Sequence, residues 1–116
     1  MRNLFTLTII AIVLIGCKTE MVHISRIIVL DSNFNQIRVI DESDSLKQLS
    51  VLWKEFEPID ELPNTEWTHK LDIDSKDLSG RWLYNQEGYL AKLNKQLKPS
   101  YKVKNTEAFN KIILGF

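Results

Sequence analysis

Two histidines, His23 and His69, are the side chains in this sequence whose ordinary pKa suits proton transfer near neutral pH. Cys17 is the one thiol, and so the strongest potential nucleophile. The run Asp72-Ile73-Asp74-Ser75-Lys76-Asp77 opens with carboxylates two apart, as a calcium loop does. Lys76 at its fifth position would repel a cation, and the sixth position is not glycine, so the run reads as a polar turn leaving a strand. No G-x-S-x-G, H-E-x-x-H or phosphate-loop pattern occurs. The sequence therefore points to no catalytic set, no metal and no cofactor. Trp82 and Tyr84 share one face of an expected strand, with Tyr89 across a turn. Such a cluster is either a platform for sugar or peptide or simply core.

His69 alternates with Trp67, Leu71 and Ile73, which places it on a half-buried strand face with a local hydrogen bond. His23 falls at the edge of the folded region and is expected in solvent.

The first residues carry a different signal. Arg2 precedes an apolar run from Leu4 to Ile15 that is broken only by Thr6 and Thr8. As a helix this run would be roughly 20 Å long, short of the ~30 Å hydrocarbon core, which is the length of a signal-peptide core. Behind it, Leu14-Ile15-Gly16-Cys17 resembles the lipobox of bacterial lipoproteins, with a small residue before the cysteine. The resemblance implies cleavage between Gly16 and Cys17, and acylation of the Cys17 thiol and amino group with palmitate-type chains. Two or more chains give stable anchoring where one does not. Lys18 stands where the Gram-negative family uses aspartate for inner-membrane retention, which implies the outer membrane, facing the periplasm, in such a host. Arg81-Trp82-Leu83-Tyr84 followed by Gly88-Tyr89 also resembles segments of small bacterial lipoproteins, and carries no activity with it.

The expected organisation is a signal peptide over residues 1–16, a lipidated cysteine and short tether over 17–22, and one domain over 23–116. In 116 residues there is room for one domain, and 44% hydrophobic with 26% charged residues is ordinary globular composition. With a single cysteine no intramolecular disulfide is possible, so burial alone must hold the domain. Removing Arg2 with the signal leaves 14 basic side chains against 15 acidic, which argues against a nucleic-acid partner. The charges are segregated along the chain. Residues 41–77 hold 11 acidic and 4 basic side chains, whereas residues 92–111 hold six lysines and Glu107. Lys92, Lys95, Lys98, Lys102 and Lys104 are therefore candidates for a membrane-facing side, with the acidic segment turned outward.

The elements that must position these residues follow from periodicity. Residues 24–30 and 36–40 are β-branched runs around Asp31-Ser32-Asn33-Phe34-Asn35, a hairpin. Ser45-Leu46-Lys47-Gln48 matches a capping box, followed by the stripe Leu46, Leu49, Trp53 and Phe56, with Pro58 as the stop. Residues 57–65 read as an acidic loop and 66–74 as a half-buried strand. Residues 81–84 and 89–93 form a second hairpin around Gly88, and 101–103 a short edge strand. Asn105 caps a last helix with Phe109, Ile112 and Ile113, closed by Gly115. The order ββαβββα predicts an α+β fold, an antiparallel sheet with a helix on one face.

The function expected from these readings is that of a membrane-anchored cell-envelope protein, a non-enzymatic binding or interaction domain for an envelope protein or glycan. The alternatives are a periplasmic inhibitor or immunity-type protein, and an envelope hydrolase working through His69.

Overall fold

The structure, a computed structural model, describes residues 22–64 and 66–116. The apolar run, Gly16 and Cys17 lie outside the described residues, as does the tether except Val22.

Ile24–Asp31 (β1) and Gln36–Ile40 (β2) form the expected hairpin. The chain then enters the helix Ser43–Lys54 (α1) and returns as the two-residue strand Glu57–Pro58 (β3). His69–Ser75 (β4), Gly80–Asn85 (β5), Tyr89–Lys92 (β6) and Ser100–Lys102 (β7) follow, and Thr106–Ile113 (α2) closes the fold. The seven strands make one antiparallel sheet in the order β2-β1-β4-β5-β6-β7-β3. The α+β class and the expected order of elements are what the structure has, with β3 as a small addition.

Alternation along the strands assigns the two sheet faces. Ile27, Val29, Leu71, Ile73, Trp82, Tyr84 and Leu90 all join the core beneath the helices. From α1 come Leu49 and Trp53, with Phe56 just beyond its end, and α2 supplies Phe109 and Ile113. The aromatic rings meet edge to face: Trp53 and Trp82 centroids lie 5.4 Å apart, Phe56 and Phe109 5.3 Å, and Tyr84 and Phe109 5.2 Å. Such pairs add to the stabilisation that area burial already provides. The polar tips are accommodated too. Trp82 Nε1 donates to the Leu78 carbonyl at 2.9 Å, and the Tyr84 hydroxyl donates to Asn110 Oδ1.

Three local expectations need correction. The Ser45–Gln48 capping box does not form, because α1 begins two residues earlier, at Ser43. Its first turn closes with the Leu46 N–H donating to the Glu42 carbonyl, and Glu42 caps without a side-chain bond. Gln48 sits inside the helix, where its N–H bonds to the preceding turn, and Ser45 lies within the first turn, too late in the helix to cap it. Residues 57–65 are not all loop: Glu57 and Pro58 pair with Lys102 and Tyr101. That makes β3 the sheet edge and moves β7 inside it. Pro58 is tolerated there because nothing hydrogen-bonds to its outer side. At the second helix the expectation holds, since Asn105 Oδ1 accepts from the Ala108 N–H at 3.1 Å.

Candidate functional site

The catalytic candidates are separated by the register. His23 lies beside the base of β1, where its carbonyl accepts from Ser75 Oγ at 2.5 Å. His69 pairs with Asp31 at the far end of the same strand. The two histidines therefore cannot share a site. Burial pushes the His69 pKa down, and the nearby Asp31 carboxylate partly opposes this. His69 Nδ1 lies 2.9 Å from Thr68 Oγ1, whose own hydroxyl donates to the Tyr84 carbonyl at 3.3 Å. With that proton committed, the contact is satisfied by Nδ1–H donating to the threonine, the reverse of what a general base would do. Asp31 is also occupied: Oδ1 accepts from the Asn33 and Asn35 N–H groups at 2.9 Å each, which pulls its pKa below the usual value.

Two carboxylates of the 72–77 run face arginines, and a serine closes the turn that follows. Asp72 takes a bidentate pair from Arg81 at 2.6 and 2.8 Å, and Asp74 lies 4.0 Å from Arg26. The bidentate bond to Asp72 raises the Arg81 pKa. Ser75 Oγ accepts from the Asp77 and Leu78 N–H groups and closes the turn.

The aromatic platform does not exist as expected. Trp82 is 1% exposed and Tyr84 fully buried, both under the helices, because those positions of β5 face the core. Tyr89 pairs with Asn85 and so projects from the opposite face, with the Lys102 ammonium 5.0 Å from its ring centroid. The five lysines do not form one side either. Lys92 Nζ donates to the Ser79 carbonyl before β5, and Lys102 Nζ to the Glu87 carbonyl after it. Lys95 and Lys98 belong with Lys92 at the first end, and Lys104 with Lys102 at the other. The acidic segment is likewise divided, with Asp41 and Asp44 at the Lys92 end and Glu57 at the Lys102 end.

What the fold does gather is an open sheet face. Opposite the core, β1, β4 and β5 present Arg26 and Asp74 in one row, Ile28, Asp72 and Arg81 in the next, and Lys70 in the third. Val39 of β2 extends the middle row beyond Ile28. Leu93, whose N–H donates to the Arg81 carbonyl, borders the row on the other side. Arg26, Ile28, Asp72, Asp74, Arg81 and Leu93 line a shallow cleft of about 550 Å³. On the other half of this face Ser100 Oγ donates to the Ile59 carbonyl, and Asn85 Nδ2 donates to the Glu66 carbonyl.

Above the open half stands Phe34, 57% exposed, with Lys70 Nζ 4.1 Å from its ring centroid. Its φ of 69° is costly for a residue with a bulky Cβ substituent, and the turn is set by the Asp31 carboxylate. Val39 and Leu93 are 45% and 47% exposed on the same face, and Ile37, at the bulge where β2 departs from β1, is 47% exposed. Sequence patterning missed these residues, since an apolar–polar alternation at 36–40 would turn Ile37 and Val39 inward. The available signal was the bulky Phe34 inside an Asp-Ser-Asn-Phe-Asn turn.

Among the described residues no helix is long and apolar enough to cross a membrane, and no cluster of three metal-ligating side chains occurs. Compared with known protein families, curated proteins and solved structures, this chain finds no match.

Proposed function

We propose that the chain is a lipid-anchored cell-envelope protein whose domain binds another envelope component through its open sheet face. The anchor rests on Leu14-Ile15-Gly16-Cys17 and the apolar run before it. In a Gram-negative host, Lys18 directs it to the outer membrane, facing the periplasm. The interaction rests above all on Phe34. A bulky aromatic held exposed in a left-handed turn costs the fold stability, and such strain is kept where it serves a site. Around it, exposed apolar side chains alternate with Arg–Asp pairs, the mixed character of protein interfaces that assemble and separate.

Two experiments test the reading. Cys17→Ser should abolish lipid labelling and release the domain from membranes. If the variant stays in the membrane fraction with its signal uncut, residues 4–15 are a true anchor and the lipoprotein reading fails. A photo-crosslinking residue at Phe34 should give a discrete adduct in host cells that the same residue at Val51, exposed on α1, does not. No adduct at Phe34, or the same adduct at both positions, would sink the interaction reading.

A further inference from the structure

The tether and the sheet register together orient the domain on its membrane. We infer that the end of the sheet carrying Leu93, Lys95, Lys98 and Lys76 rests on the lipid headgroups, and that the opposite turns point away. This rests on lipidation of Cys17 and not on the partner of the open face.

From Cys17 to Val22 there are five Cα–Cα steps, at most ~18 Å of chain. The described chain begins at Val22, and its direction is fixed at once, because the His23 carbonyl accepts from Ser75 and Ile24 pairs with Ser75. The tether therefore leaves beside the 75–80 turn. The next loop of the same end, residues 93–99, is tied to that turn through Lys92 Nζ and the Ser79 carbonyl. From this base β1 runs eight residues, about 26 Å, to the turn that carries Phe34. Gln86, in the turn between β5 and β6, lies at that same far end. Lys102 and Lys104 lie there too and are excluded from the contact.

Within reach of the tether the base is the surface suited to headgroups. Leu93 is 47% exposed, and Lys76 and Lys95 are exposed on the two loops beside it. Lys98 reaches across to the Asp60 carbonyl, where its ammonium stays at the surface. Long lysines of this kind cover apolar surface while their charges meet phosphate. Asp60, Glu61 and Asp77 offset much of the lysine charge, so the tether and Leu93 set the orientation, and the lysines adjust it. Asp41, Glu42 and Asp44 occupy the other corner of this end, before and within the first turn of α1. Repulsion there should tilt the domain onto its β5–β7 corner. The helical layer offers headgroups Glu55 and Glu107 beside Lys54 and Lys111, and the open face Asp72 and Asp74 beside Arg26 and Arg81, so charge favours neither and the exit of the tether decides for the base.

The test uses the full lipidated chain in vesicles of phosphatidylglycerol and phosphatidylcholine. Cys17 is occupied by lipid, so Gln96→Cys and Gln86→Cys each supply a single thiol for a nitroxide. With a relaxation agent chelated on the headgroups, the label at 96 should relax at least threefold faster than the label at 86. Lys95→Gln with Lys98→Gln should shrink that ratio in anionic vesicles, and raised salt should do the same. Equal relaxation at the two positions, or faster relaxation at 86, overturns the orientation. A ratio unmoved by both the lysine changes and salt overturns the role given to the lysines. Mass analysis of the same samples separates the two layers of the argument. An unlipidated chain refutes the reading of Cys17 and this inference with it, whereas a lipidated chain without preference refutes the orientation alone.

Discussion

The two faces of the sheet are built from the same strands and have opposite fates. On β4, Leu71 and Ile73 enter the core while Lys70, Asp72 and Asp74 point the other way. On β5, Trp82 and Tyr84 are sealed beneath Phe109 and Trp53, and Arg81 is left to pair with Asp72. The covered face holds rings that interlock at centroid separations of 5.2 to 6.4 Å. The open face holds Phe34 and Val39, apolar groups that the fold exposes. Stability should therefore reside on one face and recognition on the other, which makes the contrast measurable.

The largest difference should come from truncating rings on each side. Trp53→Ala should lower unfolding free energy by ~3–5 kcal/mol, because it empties a site ringed by Phe56, Trp82 and Phe109. Phe34→Gly should act in the opposite direction, stabilising by about 0.5–1 kcal/mol through relief of the positive φ. Denaturant unfolding followed by tryptophan fluorescence measures both. If Trp53→Ala costs less than ~1 kcal/mol, or Phe34→Gly costs more than that, the division between the faces is wrong.

The smallest effect sharpens the boundary where the two faces meet, at the paired Asp31 and His69. The His69 pKa lies below its ordinary 6.5 because burial disfavours the imidazolium. The folded state thus binds a proton less readily than the unfolded chain, and stability should decline as pH falls through 6.5. The Asp31 pKa lies below its ordinary 3.8, chiefly through the Asn35 N–H, so its contribution is present above that pH and lost as pH falls through it. Midpoint temperatures recorded from pH 8 to pH 3 should show a shallow decline first and a second one in acid. His69→Gln should erase the first alone. Greater stability at pH 5.5 than at pH 8 would contradict the burial of His69.

Much of the fold was legible in the residues because its signals are local. The alternation at 69–75, the spacing of Leu49, Trp53 and Phe56, and the Asn105 cap each depend on neighbours within a few positions. The capping box at Ser45 misled because a local match cannot say which turn of the helix needs the bonds. Glu57 and Pro58 were read as loop because two residues have no periodicity, and only Lys102 and Tyr101 beside them make a strand.

The candidate site was far less legible. Sequence alone determined that this chain has one thiol, behind residues that resemble a lipobox, and enough periodic apolar residues for one α+β core. It left open which aromatic residues were core, and tertiary structure put Trp82 and Tyr84 beneath the helices and Phe34 above the sheet. Register decided that Lys92 and Lys102 belong to opposite ends although ten positions apart in a lysine-rich stretch. It also decided that Val39 lies beside Ile28 on the open face while Arg38 lies beside Val29 on the covered one. Composition and periodicity report how much apolar surface must be buried and at what spacing. Which copies of that pattern are covered depends on strand pairing, and a shift of one residue exchanges the two faces.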